Sequence, residues 1–440
     1  MKLVIIGLGT AGFAAALAAK KQDRSIEITF IDKKDFDLLH TCGLPYALEK
    51  KLHSFSELKH SINAERMGMK IINKSQTTNI DHKNKKITYK NIKTNETSEI
   101  PYDKLILSIG SYSFIPPISG VENNPNIFLV SNTKNTSKLD QSVDNAESAI
   151  VIGAGAIGLE TAYALKKRGL KVSVVDMLSS AFPKAIDPDM SKLLEDYLMG
   201  KGIELILGKK LEKIQGKDLY LENQKLSADI IVMATGVRPC VKLAGDSGIL
   251  TNKQGIVVND TLETDIKDIY AAGDSITINS LITKKPMPAW FATTAYKQGT
   301  IAGINAAGGN EKIKGTLATF TSVIGDIEVA ATGLNSYFAE QNKYQIVIGK
   351  SKSLDIPEWM PGGEELSLKI IADKATSKIL GAQAVGKQAA AKINIISTAI
   401  NAGMTLKELS SVEFAYCPAV SQAYDIITAA ADLAIRKLKL

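Results

Sequence analysis

Two stretches decide the fold: LVIIGLGTAGFAAALAAKKQDRSIEITFID, residues 3–32, and SAIVIGAGAIGLETAYALKKRGLKVSVVD, residues 148–176. Each starts with a short β-branched run, passes through glycines spaced G-x-G-x-x-G, and continues as an alanine-rich helical pattern. Each then enters a second β-branched run that ends on an acid, Asp32 or Asp176. In the first stretch the glycines are Gly7, Gly9 and Gly12, and Asp32 follows Gly12 by 20 positions. In the second they are Gly153, Gly155 and Gly158. The first glycine permits the tight turn, the second admits a pyrophosphate against the backbone, and the third lets helix and strand pack closely. The helix N-terminus stabilises phosphate charge, and the acid accepts from ribose hydroxyls. One such motif is a weak signal. Two complete units predict a doubly wound α/β chain with two dinucleotide sites, and hence two cofactors that exchange electrons. No arginine directly follows Asp176 (Met177 and Leu178 stand there), so the second site favours NADH, with NADPH the alternative because Lys184 is near in sequence.

Composition bounds the rest. The chain has 440 residues, about three domains at ~150 residues each. Apolar residues make up 45 %, ample for large cores. Lys plus Arg is 53 against 46 Asp plus Glu, a net +7 with charges interspersed, which gives no support to a nucleic-acid or polybasic membrane role. The three cysteines, Cys42, Cys240 and Cys417, form no C-x-x-C pair, and four histidines are too few for a His-based site, so no metal is expected. The opening MKLVIIGLGTAGF has signal-peptide features, but its glycine spacing favours a strand and turn. No run approaches the ~18 apolar residues of a membrane span. These features together predict a reduced, cytoplasmic protein.

Three further segments return the chain to a sheet edge beside a cofactor: 101–110 (PYDKLILSIG), 228–236 (ADIIVMATG) and 268–274 (DIYAAGD). The last ~130 residues change pattern. Strands are expected over 316–333, 344–349, 364–372 and 379–385, followed by helices over 389–403 and 419–438, an α+β layer. Cys42 lies in LHTCGLPY, residues 39–46, where Pro45 suggests a helix start over 46–51. A thiol at a helix N-terminus feels positive backbone charge that favours the reactive thiolate.

The order of glycine fingerprint, SIG, second fingerprint, ATG and YAAGD resembles the FAD-dependent pyridine nucleotide-disulfide oxidoreductases over nearly the whole chain. The resemblance implies two Rossmann-like domains, for FAD and NAD, plus a C-terminal α+β dimerisation domain. It places the FAD domain at 1–115 and 245–311, the NAD(P)H domain at 116–244 and the dimerisation domain at 312–440. It implies cofactor contacts from Gly7, Gly9, Thr10, Ala11, Gly12, Asp32, Lys33, Thr41, Ser108, Gly110, Gly273 and Asp274, and from Ala292 and Thr293 on a helix over 290–307 that covers the flavin. On the nucleotide side it implies Gly153, Gly155, Ile157, Gly158, Asp176 and Gly236. Glu160 matches a family acid near the nicotinamide.

Many relatives carry a second cysteine five positions after the first; here that residue is Ala47. The chain therefore resembles the single-cysteine branch, which holds coenzyme A disulfide, persulfide and polysulfide reductases and NADH oxidases and peroxidases. Cys42 is then the redox-active nucleophile. Tyr416, in Tyr416-Cys417-Pro418, matches a tyrosine that a homodimer would offer across its interface as a proton donor. Lys20 and Lys21 match a basic pair that meets coenzyme A phosphates. Thr10 stands where NADH oxidases and peroxidases commonly carry a histidine, which argues against efficient peroxide reduction. Leu38, Trp359 and Ala156 depart from residues found in coenzyme A-dependent members, and Ala156 leaves the flavin less guarded against oxygen. The implied function is NADH-dependent reduction of a small disulfide, persulfide or polysulfide, most readily a coenzyme A-linked one. The alternatives are an NADH oxidase and a flavin redox sensor or electron-transfer protein. Cys417 is a candidate cross-subunit thiol, and Cys240 a bystander.

Overall fold

The computed structural model describes residues 1–438. The chain divides into two units, each assembled from segments that are separated in sequence. The first contains 1–43, 54–114 and 237–318; the second contains 44–53, 115–236 and 319–440.

The first unit is built on a five-stranded parallel sheet in the order Ile269–Ala271, Lys104–Leu107, Lys2–Ile6, Glu27–Ile31, Met69–Ile72. Central parallel strands are covered on both faces and read as unbroken apolar runs. Accordingly Leu3, Val4 and Ile5 are at most 1 % exposed. Lys2 pairs with Glu27 and Ile6 with Ile31, so the two strands end together, with Gly7 and Asp32 next at the same edge. The glycine helix Thr10–Gln22 packs against the helix Ala292–Ala306 through small residues. A Cβ on Gly299 would lie 2.1 Å from the Ala11 carbonyl oxygen, and one on Gly303 2.1 Å from that of Ala15. An antiparallel ribbon of Ser75–Asp81, Lys86–Asn91 and Thr97–Pro101 completes the crossover from the outer strand back to the centre.

The second unit repeats the plan. Its parallel sheet runs Ile127–Phe128, Ile230–Met233, Ser148–Ile152, Lys171–Asp176, Ile203–Leu207, with the helix Ala156–Lys167 after the second glycine turn. The same unit holds an antiparallel sheet in the order Phe320–Ile324, Ile327–Gly333, Ile379–Gly386, Glu365–Asp373, Ile346–Leu354. Every residue of Ile379–Gly386 is buried, and the helices Ala389–Asn401 and Ile426–Leu438 pack on this sheet.

Four local expectations are corrected. The predicted strand 316–333 is a hairpin, broken at Gly325 by a turn with φ +65°. The strand expected at 344–349 runs Ile346–Leu354, because it pairs along its whole length with Glu365–Asp373. The last helix starts at Ile426 rather than 419. Residues 417–421 form a turn in which the Cys417 carbonyl accepts from the Val420 and Ser421 amides. Pro45 does not open a long helix: Cys42 sits in a 3-10 turn, Thr41–Gly43, and the helix that follows is only Leu44–Leu48.

Candidate active site

The two glycine turns are built alike, bond for bond. In the first, the Gly7 amide donates to the Ile31 carbonyl at 2.9 Å, and the Leu8 amide to Asp32 Oδ2 at 2.6 Å. In the second, the Gly153 amide donates to the Val175 carbonyl at 2.8 Å, and the Ala154 amide to Asp176 Oδ2 at 2.7 Å. The other oxygen of each acid takes a backbone amide two residues on, Lys34 or Leu178, each at 2.8 Å. Each carboxylate is thereby anchored at the edge of its glycine turn.

Gly7 and Gly153 adopt φ of +98° and +116°, a region that disfavours side chains. A Cβ on Gly12 would lie 2.2 Å from the Gly7 oxygen, and one on Gly158 1.9 Å from the Gly153 oxygen. The middle glycines, Gly9 and Gly155, have open space where a side chain would project, and each caps its helix without a side-chain hydrogen bond. The first amides of both helices therefore point from uncapped ends, the arrangement that a pyrophosphate needs. The residues present fit two dinucleotides.

Around the first turn the structure gathers most of the expected contacts. Ser108 Oγ donates to the Ile6 and Gly7 carbonyls at 3.0 and 2.7 Å, tying two strand ends together. Gly273, at φ +85°, donates its amide to Oε1 of the buried Gln298 at 2.8 Å. Asp274 follows, accepting from Ser111 Oγ at 3.0 Å, and burial pushes its carboxyl above the usual range. That carboxylate is placed to receive hydroxyl donors. Thr10, Ala292 and Thr293 are exposed, Ala11 is buried, and Gly110 has positive φ with open space beside it; Gly236, in the second unit, likewise has positive φ with open space beside it.

Lys33 is exposed, whereas its neighbour Lys34, to which the sequence assigns no role, is tied in. Lys34 Nζ donates to the Leu8 and Asp37 carbonyls at 2.5 and 2.7 Å and lies 3.4 Å from Asp32. Burial lowers its pKa, opposed by Asp32. It straps the glycine turn to the segment that leads to Cys42. Adjacent lysines in a sequence give no sign of which one turns inward.

Thr41 and Cys42 are exposed on the 3-10 turn, which is closed by the Gly43 amide donating to the His40 carbonyl at 3.0 Å. Cys240 is half-buried, and burial pushes its thiol up, against an electrostatic pull from Lys33. Lys20 and Lys21 close the last turn of the glycine helix, with Lys20 Nζ donating to the Arg24 carbonyl at 3.3 Å.

In the second unit, Ile157 is exposed at the start of the helix and Glu160 is half-buried one turn on. Ser322 Oγ donates to Glu160 Oε1 at 2.5 Å. Burial raises this carboxyl's pKa and the serine opposes the rise. Ser322 was not anticipated, because it lies 162 positions away on the antiparallel sheet. Tyr416 and Cys417 are exposed in this unit, Tyr416 at 50 %. Among the described residues no group of three or more His, Cys, Asp or Glu could hold a metal, and no helix is long and apolar enough to cross a membrane.

A family model described as pyridine nucleotide-disulphide oxidoreductase matches residues 1–299, and the dimerisation domain of the same name matches 319–426. An NADH oxidase of Methanocaldococcus jannaschii is 36 % identical, over 100 % of this chain and 99 % of that protein. A CoA-dependent NAD(P)H sulfur oxidoreductase of Pyrococcus furiosus is 27 % identical, over 96 % of this chain and 97 % of that one. The solved structure of an NAD-dependent persulfide reductase from A. fulgidus aligns with a TM-score of 0.96 at 30 % identity, covering 100 % of this chain and 84 % of that one.

Proposed function

Because this chain belongs to the pyridine nucleotide-disulphide oxidoreductases, which use FAD and NADH, we propose that it reduces a small disulfide, persulfide or polysulfide through Cys42, with coenzyme A-linked substrates the leading class. The observation that carries this reading is the placement of Cys42. It is an exposed thiol in a tight turn, on the segment that Lys34 ties to the first glycine turn.

The first glycine turn, Asp32, Ser108 and Asp274 would hold the FAD, and the second glycine turn with Asp176 would hold NADH. Bound FAD supplies a two-electron relay between nicotinamide and sulfur. Cys42 contributes the nucleophile: its thiolate attacks a substrate sulfur and forms a mixed disulfide as the other sulfur leaves. The Ala154 and Leu178 amides orient the Asp176 side chain, which would receive ribose hydroxyls and disfavour a 2′-phosphate, and this supports NADH as the donor. Tyr416 is proposed as a proton donor in a homodimer.

Anaerobic NADH turnover with coenzyme A disulfide or polysulfide tests the reading. Cys42→Ser is expected to abolish it. Full turnover by that variant would remove Cys42 from the mechanism.

A second reading is an NADH oxidase that passes electrons to oxygen. It is favoured by the 36 % identical relative of that name and by the small Ala156 in the second glycine turn. NADH consumption in air that equals or exceeds the anaerobic rate with sulfur substrates would support it instead.

A further inference from the structure

We propose that the Lys34 ammonium is a positioning group with two duties: it orients the Gly9 amide that would meet the FAD pyrophosphate, and it fastens the segment that carries Cys42. The proposal rests on the reading of the first glycine turn as the FAD site and of Cys42 as the nucleophile.

Comparison of the two glycine turns points to the first duty. Leu8 and Ala154 stand between the first two glycines of their turns, and both are fully buried. A buried carbonyl needs a donor. In the second turn the Ala154 carbonyl takes the backbone amide of Phe182 at 2.9 Å. Phe182 does so at a φ of +48°, a costly conformation for a bulky side chain. In the first turn the Leu8 carbonyl takes Lys34 Nζ at 2.5 Å. Lys34 stands two residues after Asp32; the matching residue after Asp176 is Leu178, whose side chain has no donor. The same carbonyl is thus held in both turns, by backbone in one and by an ammonium in the other. The peptide bond from Leu8 to Gly9 is trans, so its C=O and N–H point in opposite directions. Holding the carbonyl on Lys34 therefore turns the Gly9 amide away from the lysine. Nothing lies within 4 Å of a Cβ built on Gly9, so a pyrophosphate can approach this stretch of backbone.

The second duty follows from the remaining donors of the ammonium, which has three. Lys34 Nζ also donates to the Asp37 carbonyl at 2.7 Å and lies 3.4 Å from Asp32 Oδ2. Its own backbone is fixed: the amide donates to Asp32 Oδ1 and the carbonyl accepts from the Lys74 amide, each at 2.8 Å. From Asp37 onwards the thiol segment is pinned to residues 58–62. Asp37 Oδ2 accepts from Ser61 Oγ at 3.2 Å and from the Ile62 amide at 3.1 Å. Leu38 and Leu39 pair with His60 and Lys59, and the His40 amide donates to the Leu58 carbonyl at 2.9 Å. The Gly43 amide then closes the turn bearing Cys42 on the His40 carbonyl. The segment behaves as one piece, and Lys34 ties its head to Leu8.

The test compares Lys34→Met and Lys34→Arg with the parent holoenzyme. FAD release on dilution, followed by flavin fluorescence, is expected to show at least ~10-fold weaker FAD binding by Lys34→Met, through loss of charge-assisted hydrogen bonds. Lys34→Arg keeps a cation with donors for both carbonyls and is expected to recover most of that affinity. At saturating FAD, stoichiometric anaerobic NADH is expected to give the parent a long-wavelength absorption band from the Cys42 thiolate against oxidised flavin. Lys34→Met should weaken this band at least ~2-fold and Lys34→Arg should restore it. A lysine that only stabilises the fold would lower the melting temperature and leave the band of FAD-loaded molecules unchanged. Circular dichroism reports folding, and Lys34→Gln serves if Lys34→Met does not fold. Parent FAD affinity or an unweakened band in Lys34→Met overturns the proposal, as does a loss that Lys34→Arg does not reduce. A band that is absent from the parent, or that survives Cys42→Ser, removes the underlying reading of Cys42 and this proposal with it.

Discussion

Glu160 carries its carboxyl one turn into the second glycine helix, half-buried, with Ser322 as its hydrogen-bond donor. Burial raises its pKa, so the neutral form is favoured in the folded chain relative to the unfolded one. A raised carboxyl contributes stability that is fully present below its ordinary range and is lost as pH rises through the folded value. Glu160→Gln keeps an acceptor for Ser322 and removes the ionisation. The variant is expected to melt higher than the parent at neutral pH, with the gain shrinking towards zero as pH falls to the ordinary carboxyl range. Melting curves across that range check it; a gain that does not depend on pH would contradict it. At this scale the sequence was a partial guide. The family resemblance singled out Glu160, but its partner comes from a strand far along the chain. The same holds for Lys34, since only the curl of the loop decides which of two neighbouring lysines meets the Leu8 carbonyl.

A close element-level joint is the packing of the helix Ala292–Ala306 on the first glycine helix. Glycine in a helix ordinarily costs about 0.5–1 kcal/mol relative to alanine. Gly200, at the exposed end of the helix Pro188–Gly200, has nothing within 4 Å of an added Cβ, so Gly200→Ala is expected to stabilise by about that amount. Gly303→Ala should show the opposite sign, because its Cβ would lie 2.1 Å from the Ala15 oxygen and would force the helices apart. A loss of about 1–3 kcal/mol is expected, measured by denaturant unfolding. The paired glycine turns were legible because their requirements are local: a positive φ, an uncapped helix end, a close strand crossing. The last helix was not. Its apolar pattern reaches back towards 419, but the chain turns at Cys417 and Ser421 before the helix starts at Ile426.

At the scale of the whole molecule, a buried ion-pair network joins the parallel and antiparallel sheets of the second unit. Lys369 Nζ, on a central strand of the antiparallel sheet, lies 2.7 Å from Asp187 and 2.8 Å from Asp189, at the start of the helix Pro188–Gly200. Asp187 also accepts from Ser336, and its amide donates to Gln383 Oε1. Removing the cation strands a buried carboxylate, so Lys369→Ala is expected to cost about 3–5 kcal/mol in urea unfolding. The pair Asp187→Asn with Lys369→Met should recover part of that loss. The C-terminal part leaves Trp359, Tyr416, Val420 and Tyr424 between 50 and 70 % exposed, which fits a surface that a second copy covers. Sedimentation at twice the monomer mass is expected, and a monomer at micromolar concentration would count against a shared Tyr416.

The sequence by itself determined the doubly wound plan and the two cofactor turns, because each depends on residue types that a short piece of backbone demands, and its family resemblance singled out the candidate thiol. Only the tertiary structure decided which charges are neutralised and which side chains share a space. It set Lys34 on the glycine turn, Ser322 on Glu160 and Lys369 between two aspartates. Those pairings arise from burial, where an unpaired polar group is costly, and burial is set by segments that meet only when the chain is folded.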